Sequence, residues 1–120
     1  MAGISTHVLD TSLGRPAAGV PVELAVRTED GWRLLGASAT DADGRVTGLP
    51  AVAGGSVARL RFDTAEYHAG TGQRSSGQRS SGQQPFFPEV SIVFTVAPDQ
   101  LHYHVPLLLN PFGYSVYRGS

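Results

Sequence analysis

The residues best equipped for chemistry lie in Leu101–Ser120, which reads Leu-His-Tyr-His-Val-Pro-Leu-Leu-Leu-Asn-Pro-Phe-Gly-Tyr-Ser-Val-Tyr-Arg-Gly-Ser. His102 and His104 stand two apart, and Tyr117, Arg118 and Ser120 follow close behind. An imidazole changes charge near neutral pH, so it can accept a proton or return one. A guanidinium is a permanent cation whose planar fork of N–H donors suits developing negative charge. The hydroxyls of Tyr117 and Ser120 add groups able to hold water or a polar ring. The stretch is therefore a site-like concentration of acid–base and hydrogen-bonding groups. A His-x-His pair also suggests a metal, but no acidic partners accompany it at ligand spacing, so no metal is expected.

A strand has to position these groups. Successive side chains in a strand point to opposite faces. Tyr103, Val105, Leu107 and Leu109 then form an apolar face, and His102, His104, Pro106 and Leu108 form the other. Packing the odd positions into a core presents both imidazoles on the far side. A turn at Asn110–Gly113 leads into a short run, Tyr114–Tyr117. The last residues, with the terminal carboxylate, are expected to stay near that strand.

The rest of the chain reads as further short strands. Ile4–Leu9 puts Ile4, Thr6 and Val8 on one face and Ser5, His7 and Leu9 on the other. Asp10–Pro16 is a loop in which Asp10 serves as a turn or hydrogen-bonding residue rather than a base. Val20, Val22, Leu24 and Val26 alternate with polar or small residues, and Pro21, which cannot donate to a ladder, places the start of this strand at an edge or bulge. Glu29-Asp30-Gly31 signals a hairpin to a partner strand at Trp32–Thr40. Asp41–Gly44 is a turn, Arg45–Thr47 a short strand, and Ser56–Phe62 another strand. Asp63–Ala69 reads as one or two helical turns, capped by Asp63 with Glu66 three later and stopped by Gly70, with His68 exposed on it. Val90–Val96 is the strongest strand pattern. About eight strands, one short helix and no βαβ rhythm predict an all-β, antiparallel two-sheet sandwich in one domain, residues 1–120.

Composition removes several classes of function. The chain has 120 residues, enough for one modest core, and a net charge of −1. No basic block favours nucleic acid. The basic residues are all arginine, which excludes Schiff-base chemistry through lysine, and with no cysteine there are no disulfides, thiolate nucleophiles or zinc–thiolate sites. No leader pattern and no apolar run long enough to span a bilayer are present, so a soluble cytoplasmic protein is expected. One segment departs from the strand pattern. Gly72-Gln73-Arg74-Ser75-Ser76 recurs as Gly77-Gln78-Arg79-Ser80-Ser81, and Gly82-Gln83 begins a third copy. With no apolar residue to bury, it reads as a duplicated mobile surface loop, 72–83.

Ile4-Ser5-Thr6-His7-Val8-Leu9-Asp10, Gly14-Arg15-Pro16-Ala17, Phe86-Phe87-Pro88-Glu89-Val90, His102–Leu109 and Tyr117-Arg118-Gly119-Ser120 closely resemble the 5-hydroxyisourate hydrolase branch of the transthyretin-like family. The resemblance implies a homotetramer of transthyretin-like sandwiches with sites in a channel where subunits meet. It implies cofactor-free hydrolysis of 5-hydroxyisourate to 2-oxo-4-hydroxy-4-carboxy-5-ureidoimidazoline in urate breakdown. It assigns His7, Arg45, His104 and Ser120 to catalysis, and His7, Arg45, Tyr117, Arg118 and Gly119 to substrate binding. The repeat lengthens a usually short loop by about ten residues, and Asn110 stands where a serine is frequent.

The implied reaction is attack of water on a ring lactam carbonyl. A neutral imidazole, His7 or His104, would take the proton. Arg45 would stabilise charge on the attacked oxygen. Which histidine is the base stays open, and His102 is assigned to support. Each residue also has a plainer reading: His7 and Arg45 as solvated surface groups, His104 as a structural imidazole, Tyr117 as packing. No Gly-x-Ser-x-Gly elbow is present, so covalent catalysis through Ser120 is set aside. The rival function is a transthyretin-type small-ligand carrier, since fold alone does not separate the two. A carbohydrate- or peptide-binding sandwich has only generic support.

Overall fold

A computed structural model of the chain describes residues 1–71 and 86–119. The strands are β1 (Gly3–Asp10), β2 (Arg15–Pro16), β3 (Pro21–Thr28), β4 (Gly31–Ala39), β5 (Arg45–Val46), β6 (Val57–Phe62), β7 (Val90–Thr95), β8 (His102–Asn110) and β9 (Gly113–Val116), with one helix, α1 (Thr64–Thr71). One sheet runs β2-β1-β8-β9, with β5 also paired to β1, and the other runs β4-β3-β6-β7. The repeat that was expected to form a mobile loop, 72–83, and Ser120 lie outside the described residues.

The core lies between the sheets and is built from the alternations visible in the sequence. Ile4 and Val8 of β1, Val22 and Leu24 of β3, Leu60 and Phe62 of β6 and Leu107 and Leu109 of β8 are all buried. Protein interiors pack at crystal-like density, so strands that bury these side chains make firm supports for whatever the opposite face presents. β3 is interior rather than at an edge, and Pro21 is its first residue. At that position its missing N–H interrupts no ladder, while its carbonyl accepts from Asp63 N–H at 2.9 Å. A register shift does occur in this strand, but further on, between Leu24 and Ala25 opposite β4.

Among the described residues all strand pairs are antiparallel except β1 with β8, which run parallel from Gly3 opposite His102 to Asp10 opposite Leu109. The two-sheet sandwich is as expected, and this one parallel pair lies within it, because the alternation of a strand carries its faces but not its direction. Two further expectations are corrected at the helix. Asp63 caps it as expected, its Oδ1 accepting from Glu66 N–H at 3.0 Å, but α1 continues through Gly70 to Thr71. His68 is buried, not exposed. Thr64, Tyr67 and His68 stand at i, i+3 and i+4 and form the face turned to the protein.

Candidate active site

Because Ile4, Thr6 and Val8 turn inward, Ser5 and His7 of β1 are presented on the outer face of the sheet. Because Tyr103 and Val105 turn inward, His102 and His104 of β8 share that face. The parallel register sets Ser5 opposite His104, and on the other side of β1 the antiparallel register sets His7 opposite Arg45 of β5. Three segments far apart in the chain thus bring Arg45, His7, Ser5, His104 and His102 onto one patch. Ser5, Thr6, Arg45, Thr47, His102 and His104 line a cavity of about 370 Å³ there.

Arg45 is held by the turn before it. Asp41 Oδ1 accepts from the backbone N–H groups of Asp43 at 2.8 Å and Arg45 at 3.0 Å. The bond from Arg45 N–H is the largest influence on the Asp41 carboxyl and helps lower its pKa. Gly44 closes the turn with φ 77°, and a Cβ there would lie 2.4 Å from the Val8 carbonyl oxygen. Only glycine meets both demands, so this residue lets the turn press against β1.

The hydrogen bonds of the two candidate histidines define which nitrogen each can use. His7 Nε2 lies 2.9 Å from the Asp43 carbonyl oxygen. A carbonyl only accepts, so Nε2 carries the hydrogen and Nδ1 is the nitrogen left to exchange a proton. His104 is held the opposite way round. Its Nδ1 lies 2.9 Å from Ser5 Oγ, and among the described residues its Nε2 has no hydrogen-bond partner. Ser5 Oγ also lies 2.9 Å from His102 Nε2, so one hydroxyl bridges both rings of the His-x-His pair. The His104 pKa is lowered, first by burial and then by the nearby positive charges of Arg45, His7 and His102. That shift keeps the ring neutral, the form that can accept a proton.

The last described residues divide between two places. Pro106 has no N–H to donate, and the β8–β9 ladder lapses beyond Val116. It resumes at Gly119, whose N–H donates to the His104 carbonyl at 2.7 Å. A Cβ on Gly119 would stand 2.9 Å from His104 Cδ2, so the missing side chain is what lets the segment lie against the ring. Tyr117 and Arg118 are not among the residues lining the histidine cavity. They border a second cavity of about 310 Å³ with Ile92, Phe94 and Tyr103, and the Arg118 guanidinium stacks 4.8 Å from the Tyr103 ring centroid. Among the described residues no group of three or more His, Asp or Glu side chains is arranged to hold a metal ion.

Of the residues expected from the sequence, Arg45 and His104 line the cavity, His7 lies on the same face, and Gly119 abuts His104. His102, assigned to support from the sequence, lines the same cavity. Ser5 and Thr47 were not among the expected site residues. The signal for Ser5 was available, since it stands two before His7 and so shares its strand face.

This chain belongs to the HIUase/Transthyretin family, whose model matches residues 4–119. It is 44% identical over 118 residues to 5-hydroxyisourate hydrolase 2 of Rhizobium meliloti, covering 98% of this chain and 95% of that one. Its fold is similar to that of the Klebsiella pneumoniae 5-hydroxyisourate hydrolase, with TM-score 0.78 and 33% identity over 100% of both chains. It is also similar to sea bream transthyretin solved in complex with thyroxine, with TM-score 0.82, 30% identity, and coverage of 98% of this chain and 95% of that one.

Proposed function

We propose that this chain is an enzyme that hydrolyses 5-hydroxyisourate to 2-oxo-4-hydroxy-4-carboxy-5-ureidoimidazoline, in the breakdown of urate. The observation that carries this reading is the cavity that brings a neutral imidazole with a free nitrogen, His104, beside the Arg45 guanidinium. Water attacks a ring lactam carbonyl, His104 or His7 takes its proton, and Arg45 faces the oxygen on which negative charge grows. Tyr117, Arg118, Gly119 and Ser120 complete the substrate wall in the assembled protein, with Ser120 contributing to catalysis. The test is to generate 5-hydroxyisourate with urate oxidase and follow its ultraviolet absorbance. Added protein is expected to speed the decay well beyond the spontaneous rate, and an unchanged rate would end the proposal.

The likeness to a thyroxine-bound transthyretin gives the carrier reading its one specific support. The residues lining the cavity weigh against it. Serine, threonine, arginine and histidine surround this space, where a carrier of a large aromatic ligand needs apolar walls.

The same proposal includes a homotetramer with sites where subunits meet. Among the described residues β7 and β9 each end a sheet with one edge unpaired, which another copy can extend. It also includes a cytoplasmic location, testable by fractionating cells that express the protein. Among the described residues no helix is long and apolar enough to cross a membrane.

A further inference from the structure

Ser5 stands between the two rings of the His-x-His pair. Its Oγ lies 2.9 Å from His104 Nδ1 and 2.9 Å from His102 Nε2. A hydroxyl carries one hydrogen and two lone pairs, so it can donate to at most one of the rings and can accept from either. At least one of the two imidazoles must therefore present an N–H to Ser5. If Ser5 donated to His104 Nδ1, the hydrogen of neutral His104 would sit on Nε2 and the cavity would face a donor. If Ser5 accepts from His104 Nδ1–H and donates to His102 Nε2, the cavity faces a lone pair.

The chemistry decides between them. When His104 takes a proton from water, both of its ring nitrogens carry hydrogen. Nδ1–H then needs an acceptor, and Ser5 can accept once its own hydrogen is turned away from that ring, with His102 Nε2 at 2.9 Å a partner able to receive it. The strained alternative, two hydrogens pointing at each other, would oppose the proton transfer at the moment it occurs. We propose that Ser5, backed by His102, is a positioning residue for this reaction: it holds His104 with hydrogen on Nδ1 and the Nε2 lone pair toward the cavity.

This inference rests on the hydrolase reading above and assigns His104 as the base. As an O–H bond of water breaks, the oxygen bonds to the lactam carbonyl carbon and the proton goes to His104 Nε2. When the ring C–N bond breaks, its electron pair stays on nitrogen, and the proton is returned there. No proton leaves Nδ1 at any stage. The familiar device for orienting a catalytic imidazole is a carboxylate. Here the support is a neutral hydroxyl and a second imidazole, which fixes the tautomer without adding negative charge to a site meant for an oxygen-rich ring. The groups facing His104 agree with such a design: His7 on β1, Arg45 on β5 and His102 on β8 itself are all neutral or positive, and the segment beyond β9 offers the Gly119 backbone. Gly3 completes the arrangement, because a Cβ there would stand 3.0 Å from His102 Nδ1 and crowd the supporting ring.

The test compares Ser5→Ala, Ser5→Thr and His102→Phe in the full chain, with kinetics on urate-oxidase-generated 5-hydroxyisourate and imidazole ¹⁵N NMR. Ser5→Ala and His102→Phe are expected to lower kcat by about ten- to a hundredfold with little change in KM. Ser5→Thr keeps the hydroxyl and should restore most of the rate. In the wild type above its titration range, His104 should show the tautomer with hydrogen on Nδ1, and Ser5→Ala should shift it toward the Nε2–H form. Wild-type kcat in Ser5→Ala, failure of Ser5→Thr to restore a lost rate, or a wild-type His104 with hydrogen on Nε2 would each overturn the proposal. Loss of the hydrolase reading would be distinguishable, since the wild type itself would then fail to speed the decay while the NMR comparison still reported on the Ser5 bridge.

Discussion

His104 is drawn toward neutrality by burial and by three neighbouring cationic or cationisable side chains, and its consequences can be read in a pH profile. A pKa below the ordinary value of 6.5 means that the neutral base persists as the solution becomes more acidic. The acid limb of kcat/KM should therefore fall below pH 6.5 in the wild type. Arg45→Ala removes one repelling charge, so that limb should move upward toward the ordinary histidine value even as the rate collapses. Both Arg45→Ala and His104→Asn are expected to cost at least about a hundredfold in rate, from lost electrostatic and acid–base help respectively. Gly119→Ala offers a subtler test at the same scale. Its new Cβ would meet the His104 ring at 2.9 Å, so either the ring or the segment must shift. A fall in kcat of about tenfold or more with an unchanged unfolding midpoint is expected, measured by absorbance decay and thermal denaturation. At this scale the sequence was partly legible. His7, Arg45 and His104 came from a family resemblance, and strand alternation correctly put His102 and His104 on one face. Ser5 was passed over because its role depends on a bridge to residues nearly a hundred positions away, |i−j| 97 and 99, which no local pattern encodes.

At the scale of elements, one buried carboxylate joins the end of β1 to its loop and to α1. Asp10 Oδ1 accepts from Ser12 N–H at 2.9 Å, Ser12 Oγ at 2.7 Å and Leu13 N–H at 3.0 Å, while Oδ2 accepts from the Tyr67 hydroxyl. Burial alone would raise the Asp10 pKa, but these bonds outweigh it and the net shift is downward from 3.8. Tyr67 moves upward from 10.0, through burial and then through its bond to Asp10. The signs fix a window. The Asp10 contribution is present above its unfolded value and is lost as pH falls through the folded one. The Tyr67 contribution is present below its unfolded value and is lost as pH rises through the folded one. Tyr67→Phe should therefore cost about 2 kcal/mol in urea unfolding near neutral pH, the usual worth of a hydrogen bond to a charged group. It should also flatten the alkaline loss of stability relative to wild type. Asp10 was correctly read as a hydrogen-bonding residue, yet its partner on the helix was not foreseen. The helix has little amphipathy, so the sequence did not reveal that Tyr67 and His68 turn inward. Strand direction was equally hidden, because the residues of β1 and β8 alternate identically in parallel and antiparallel pairing.

At the scale of the whole molecule, the class of fold was legible because it is set by short alternating segments and turn signals, which are local. The order of strands within each sheet was not, since it depends on which apolar faces close over one another. The duplicated Gly-Gln-Arg-Ser-Ser segment bears on the assembled protein in a way that can be measured. It contributes two arginines, Arg74 and Arg79, and no apolar side chain, so removing it takes nothing from the hydrophobic driving force for folding. It also leaves intact every side chain that lines the histidine cavity. Deleting residues 73–82 is therefore expected to keep kcat/KM within about threefold of wild type, since a change in the length of a connection carries a small entropic cost. Sedimentation equilibrium adds the reading that matters for assembly. Wild type and deletion should both show about four times the 12.6 kDa chain mass, as the proposed tetramer requires. A monomer in both would remove the shared site while leaving the fold. A tetramer in the wild type alone, with activity lost in the deletion, would instead give the repeat a part in assembly, contrary to its reading as a passive solvated loop.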